Sequence, residues 1–424
     1  MMTRREMIAA AALAGGAVLL HNAPRLAAAE APEQPAGDYV PVFTPNGVTL
    51  PFKLIGGVKV FHLIAEEVEH EFAPGLRAHC WGYNGRTTGP TIEAVQGDRI
   101  RIYATNHLPA PTTVHWHGIR VPNGMDGVNG MTQRPIQPGE TFRYEFALPD
   151  AGTFMYHPHL DEMTQQGMGM MGMFIVHPRQ ATGPKVDRDY VIMLNEWRII
   201  PGTARPVTTE MLEFNVLTMN SKCYPATAPV VAQRGERVRL RFGNLSPMDH
   251  HPIHLHGFQL ILTESDGGIL PESARYQANT VLVPVGSTRA LEFVADNPGN
   301  WPMHCHMTHH MMNQMGHDVP NIIGVDTTGF DKRLNSLLPD YMSMGQNGMA
   351  DMPDMQMQVP ANSIPMLGGK GRFGPIDMGG MFTTVKVRDH LTGYDDPGDY
   401  DFPPGTVADA ATADELRRDG IEVR

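Results

Sequence analysis

Past about residue 40 the chain is made of short runs rich in Val, Ile, Phe and Tyr, several of them with polar side chains at every second position. Examples are "RIRIYATNHL", "TFRYEFAL", "YVIMLNEW" and "RVRLRFGNLS", separated by Gly and Pro. Alternation with a period of two sends successive side chains to opposite faces of a strand. The pattern therefore predicts an all-β fold of short, half-buried strands.

An internal repeat divides this pattern in two. "VQGDRIRIYATN" (residues 95–106) resembles "AQRGERVRLRFGN" (residues 232–244), with Gly97 matching Gly235 and Asn106 matching Asn244. "GETFRYEF" from Gly139 matches "GSTRALEF" from Gly286. Extended without gaps, that second match places His157-Pro158-His159 on His304-Cys305-His306. Each half has the size of one β-sandwich. The expected domains are residues 40–182 and 187–328, followed by a Met-rich and acidic extension over residues 329–424.

Composition changes the picture in two respects, 29 methionines and 20 histidines in 424 residues. The formal charge of −12 argues against a nucleic-acid partner. Thr3-Arg4-Arg5 precedes an apolar run, and Ala27-Ala28-Ala29 offers a small-residue cleavage site. Residues 1–31 read as a twin-arginine export signal, which predicts a soluble periplasmic protein with no membrane span once the signal is removed. Cys80 and Cys223 could pair in such a compartment or remain buried thiols; spacing does not decide between them.

The candidate chemistry lies in four HxH motifs: His115-Trp116-His117, His157-Pro158-His159, His254-Leu255-His256 and His304-Cys305-His306. On a strand each pair presents two imidazoles on one face, and neutral imidazole is a good copper ligand. Cys305 points away from its flanking histidines, so one strand can serve two metal sites back to back. A thiolate, two imidazoles and a distant thioether make a blue-copper electron-transfer site. Cys305, His251, His310 and Met315 form such a set, with His250 and His309 as close neighbours that the repeat spacing disfavours. The first half has Pro158, Thr112, Met163 and Met168 at the matching positions and lacks this site.

"HWHGIRVPNGMDG", "YHPHL", "HPIHLHGF" and "HCHMTHHMMNQM" are similar to the four copper motifs of the multicopper oxidases, the laccase family. The resemblance implies cupredoxin-like Greek-key sandwiches and four copper ions per subunit: one type 1, one type 2 and two type 3. It implies that His115 and His254 hold type 2 copper, and that His117, His157, His159, His256, His304 and His306 hold the type 3 pair. Type 1 copper falls to His251, Cys305, His310 and Met315, with Cys305 also carrying electrons toward the cluster. Asp126, in "GMDGVNG", matches a proton-relaying carboxylate, and Asp161 and Glu162 are candidates for a second route. No middle domain fits between His159 and His251, so the chain resembles two-domain members in which three chains close a ring around shared trinuclear sites.

The resemblance implies dioxygen as acceptor and a metal ion or small phenol as reductant. Methionines crowd the second and fourth motifs and the tail stretch "YMSMGQNGMADMPDMQMQ", with Met366, Met378 and Met381 beyond. Thioethers select Cu(I), and the tail's Gly, Asp, Pro and Gln offer no core to fill. Oxidation of Cu(I) or another low-valent metal in copper homeostasis is therefore the favoured expectation. A broad phenol-oxidising laccase is the alternative. A copper nitrite reductase would not need four HxH pairs, and a copper-storage protein would not need a full cluster.

Overall fold

Strand Arg99–Asn106 exposes and buries successive residues as its sequence alternates, with Ile100, Ile102, Ala104 and Asn106 buried. The structure, a computed structural model, describes residues 39–314, 321–322, 326, 329–338, 342–343, 360–366 and 368–422. Its fold is all-β, as expected. Residues 1–31 expected as an export signal, Met315, and Tyr341 and residues 344–358 of the Met-rich stretch lie outside the described residues.

Two sandwiches are seen. In the first half, Phe52–Ile55, Val58–Ala73, Arg99–Asn106 and Thr141–Ala147 form one sheet, with Leu76–Tyr83 paired to Val58–Ala73. The facing sheet runs Ile92–Val95, Gly172–His177, Gly152–His157, His115–His117. Ile100, Ile102 and Tyr144 from one layer meet Trp116, Tyr156 and Phe174 from the other in one core. In the second half, Arg188–Trp197, Arg237–Asn244, Thr288–Val294 and Leu260–Ser265 face a sheet that contains His251–Leu255 and Gly299–Cys305.

The repeat has a physical content. Gly97 (φ 85°) and Gly235 (φ 91°) both take the left-handed conformation in the turn that reverses the chain between sheets. The matched Asn106 and Asn244 are fully buried, and each amide donates to two backbone carbonyls. Asn244 bonds to Asp249 and Val283, and so pins the loop that leads into His251. Asn106 does the same for the loop that leads toward His115, through Ala110 and Ile136.

The second sheet is completed from the tail. Strand Phe382–Arg388 lies between Val230–Gln233 and Gly299–Cys305 of its own chain. An expected second-domain end at residue 328 left this strand outside, because nothing local in it announces a partner so far back in the sequence. Met366 and Met381 of the tail are buried, and Met381 belongs to the second core. Cys80 and Cys223 are free thiols in a smaller core around Phe72, Trp197 and Ile199, and burial pushes both thiol pKa values up.

One buried ion network joins the halves. Arg241, with no exposed surface, donates to Asp189 and Glu264 and to the Thr153 hydroxyl of the first half. Removing the cation deprives both buried carboxylates of their closest counter-charge, with Arg239 left 3.5 Å from Asp189. Arg241→Ala is therefore expected to cost about 3–5 kcal/mol in chemical denaturation. A much smaller loss would show that the carboxylates are held some other way.

Candidate metal centres

The four HxH motifs meet in pairs because their strands are hydrogen-bonded neighbours. His115 lies opposite His157 in the first half, and His254 lies opposite His304 in the second. In the first quartet the rings of His115, His117, His157 and His159 lie with centroids between 5.3 and 6.4 Å apart. In the second, His254, His256, His304 and His306 span 4.7 to 5.7 Å. Among the described residues no ring contact links the two quartets.

Backbone carbonyls fix which nitrogen each ring presents. A carbonyl oxygen can only accept, so His115 donates Nδ1–H to Asp126 (2.8 Å), His157 to Pro158 (2.8 Å), His254 to Asn279 (2.7 Å) and His304 to Cys305 (2.9 Å). Nε2 of all four is left with its lone pair facing the quartet. His159 Nδ1 lies 2.9 Å from Glu162 Oε1 to the same effect. Burial lowers the pKa of His117 and His304 and brings His157 down to about 3, which keeps these imidazoles neutral and able to bind a cation at neutral pH.

Two nitrogen pairs point at each other, His117 Nδ1 with His157 Nε2 and His256 Nε2 with His304 Nε2, both at 3.2 Å. Lone pairs that close repel unless a proton or a cation lies between them. An ion at the usual 2.0–2.1 Å from both would subtend about 100°, near the tetrahedral value. The second quartet is the more open. His254 and His256 line a surface depression with Gln259 and Asn279, and His306 is exposed.

Cys305 lies on the other face of its strand, as its sequence position requires. His251, Cys305 and His310 are all buried and form a triangle: Sγ to His251 Nδ1 3.7 Å, Sγ to His310 Nδ1 3.5 Å, and Nδ1 to Nδ1 3.1 Å. A point about 2.0 Å from all three corners exists in that plane, close to ordinary metal–nitrogen and metal–thiolate lengths. His250 and His309 are exposed, and His250 Nδ1 accepts the Val285 N–H instead. Met315, expected as the fourth donor, lies outside the described residues.

Several neighbours escaped sequence reasoning. The Ser246 hydroxyl lies 2.7 Å from His251 Nε2 and orients that ring. Asp249 Oδ2 lies 3.4 Å from His310 Nε2, and Glu196 accepts from the Met248 and Asp249 amides behind it. Burial, reinforced by the Asp249 carboxylate, pushes the Glu196 carboxyl up to about 8. Asp249 directly precedes the "HHPIHLH" run and could have been suspected; Glu196 carries no local signal. Asp126 touches His115 mainly through its carbonyl, with its carboxylate 3.5 Å from the same nitrogen. Asp161 caps a short helix in the left-handed conformation, and its neighbour Glu162 reaches His159.

Two family models, each described as multicopper oxidase, match residues 65–181 and 201–323. The chain is 34% identical over 123 residues to copper resistance protein A of Pseudomonas syringae pv. tomato, covering 29% of this chain and 20% of that protein. It is 29% identical over 217 residues to multicopper oxidase MmcO of Mycobacterium tuberculosis, covering 44% of this chain and 42% of that one. It thus spans less than half the length of these curated relatives. Among solved structures, multicopper oxidase mgLAC superposes with a TM-score of 0.57 at 27% identity over 79% of this chain and 87% of that one. The blue copper oxidase of Nitrosomonas europaea gives 0.57 at 26% identity over 77% and 85%. With two matching family models, two sandwiches and His/Cys donor sets in place, the chain belongs to the multicopper oxidase family.

Proposed function

We propose that this protein is a copper-dependent oxidoreductase that couples one-electron oxidation of a reductant to four-electron reduction of dioxygen to water. One observation carries the reading. On strand Gly299–Cys305 and the residue that follows it, the buried triangle and an imidazole quartet lie on opposite faces of the same few residues. The donor sets fit copper: a thiolate with two imidazoles for type 1, and eight imidazoles, four of them with tautomers fixed by backbone carbonyls, for types 2 and 3. When bound, copper supplies single-electron acceptance at the first set and oxygen reduction at the second.

The chain's own groups do the rest. The backbone joins Cys305 directly to His304 and His306, a bonded path between the two sets. His115 and His254 are assigned to type 2, and His117, His157, His159, His256, His304 and His306 to type 3. Asp126 and Glu162 stand beside His115 and His159, where a carboxylate can hold a proton for delivery. The domain limits that accompany this reading are residues 40–182 and 187–328, the second completed by the tail strand.

Each quartet by itself offers four imidazoles, and three copper ions need both. An exposed His306 and an open depression at His254 suit a partner's first quartet, so a homotrimer with shared clusters is proposed. Export by the twin-arginine route to the periplasm goes with it. Among the described residues no helix is long and apolar enough to cross a membrane. Cu(I) or another low-valent metal ion is the proposed reductant, with the Met-rich tail as its capture segment; phenols are the alternative.

Cys305→Ser is expected to abolish the blue absorption and cut oxygen uptake to background, whereas retained turnover would end the proposal. Native mass measurement should find three chains in the active form; a copper-replete active monomer would contradict the shared cluster. Ser246→Ala frees the His251 ring and should weaken type 1 copper retention by about 10–100-fold in chelator competition. Deleting residues 341–358 should lower Cu(I) oxidation more than phenol oxidation, and equal losses would count against the tail's role.

A further inference from the structure

We infer that Glu196 is a positioning residue of the type 1 site: it holds Asp249 against His310 and thereby sets the reduction potential of the metal that His310 would bind. This rests on the type 1 reading above. Glu196 ends up behind the buried triangle from 55 residues upstream of His251, on strand Arg188–Trp197, and is only 1% exposed. Its Oε1 accepts the N–H groups of both Met248 and Asp249, each at 2.9 Å. The Asp249 carbonyl in turn accepts from the Asn244 amide (3.0 Å). Both backbone polar groups of Asp249 are thus taken, which fixes where its side chain starts. That side chain, one-third exposed, keeps Oδ2 3.4 Å from His310 Nε2, while His310 Nδ1 faces the Cys305 sulfur at 3.5 Å. Without the two amide bonds a carboxylate this exposed would turn to water.

The internal repeat supplies a control within the molecule. Ala65 pairs with Asn106 in the first half, and Leu194 pairs with Asn244 in the second. Two residues further along each strand stand Glu67 and Glu196, opposite Trp81 and Leu217 of the next strand. The same residue type at the same register meets opposite fates. Glu67 is exposed, and among the described residues it holds no loop amide; its half lacks the triangle. Glu196 is buried beside the triangle although its Oε2 has no hydrogen-bond partner among the described residues. An apolar side chain would fill that space without leaving a polar atom unsatisfied, so packing does not account for the carboxylate. What it provides is the clamp on Met248 and Asp249. A carboxylate at the outer nitrogen of a ligating imidazole makes the ring a stronger donor, which favours the more highly charged metal ion and lowers its reduction potential.

The test reads the type 1 reduction potential of the full-length, copper-loaded protein in Glu196→Leu, Glu196→Gln, Asp249→Asn and the double variant Glu196→Leu with Asp249→Asn. Leu fills the space but accepts no hydrogen bond, whereas Gln keeps an oxygen for both amides. Glu196→Leu and Asp249→Asn should each raise the potential by about a tenfold change in preference for Cu(II) over Cu(I), ~59 mV for one electron. The double variant should go no higher than Asp249→Asn alone, because Glu196 acts through Asp249. Glu196→Gln should match the parent. A parent-like potential in the Leu variant, a Gln shift equal to the Leu shift, or additive shifts in the double variant overturn the inference. Amide hydrogen exchange in the unaltered protein needs no variant to fold. Met248 and Asp249 should both be protected, and free exchange at both overturns the clamp. A parent protein without a thiolate-to-copper absorption band would instead remove the type 1 reading itself, and this inference with it.

Discussion

The structure depends on one constraint: a strand with a period of two, hydrogen-bonded along both edges, has two chemically distinct faces. Gly299–Cys305 is such a strand, with His251–Leu255 on one side and Phe382–Arg388 on the other. Pairing on both edges stops it from rotating or slipping, since a slip of one residue would exchange every side chain between faces. Cys305 is thereby held in the core and its two flanking histidines outside it. A looser element would carry the same residues without separating them.

The polar groups are arranged to keep the imidazoles available. Backbone carbonyls of Asp126, Pro158, Asn279 and Cys305 each take one ring N–H, which leaves the other nitrogen as a lone pair. Burial adds to this by disfavouring the charged ring, most strongly at His157 and His251. The same economy appears in the scaffold, where Asn106 and Asn244 are buried amides that hold matching loops in the two halves. The second loop leads into His251 of the buried triangle, and in the first half the matching position is Thr112, which bonds to Gln165 instead. A shared fold with one altered set of side chains thus separates a half with two sites from a half with one.

The tail alters the picture of the second half. Its strand is an inner member of the sheet, parallel to Val230–Gln233 and antiparallel to the cysteine strand. The acidic segment after it packs back over the same region through Asp396 with Lys386 and the Tyr394 hydroxyl with Glu236. The extension is therefore part of the domain that holds the buried triangle.

Much of the architecture was legible in the residues. Alternation in "RIRIYATN", the two matched Gly–Asn frames and the four HxH pairs are local patterns, and a strand's period of two converts them into faces without knowledge of the fold. Two sandwiches, an imidazole quartet in each and a cysteine turned away from its flanking histidines all follow from those patterns. The repeat spacing already favoured His251 and His310 over His250 and His309; tertiary structure alone decided that Cys80 and Cys223 stay thiols and that Glu196 and Asp249 stand behind His310. It also decided where the tail strand pairs. These outcomes depend on register between segments distant in sequence, and no local period encodes which strand a strand will join.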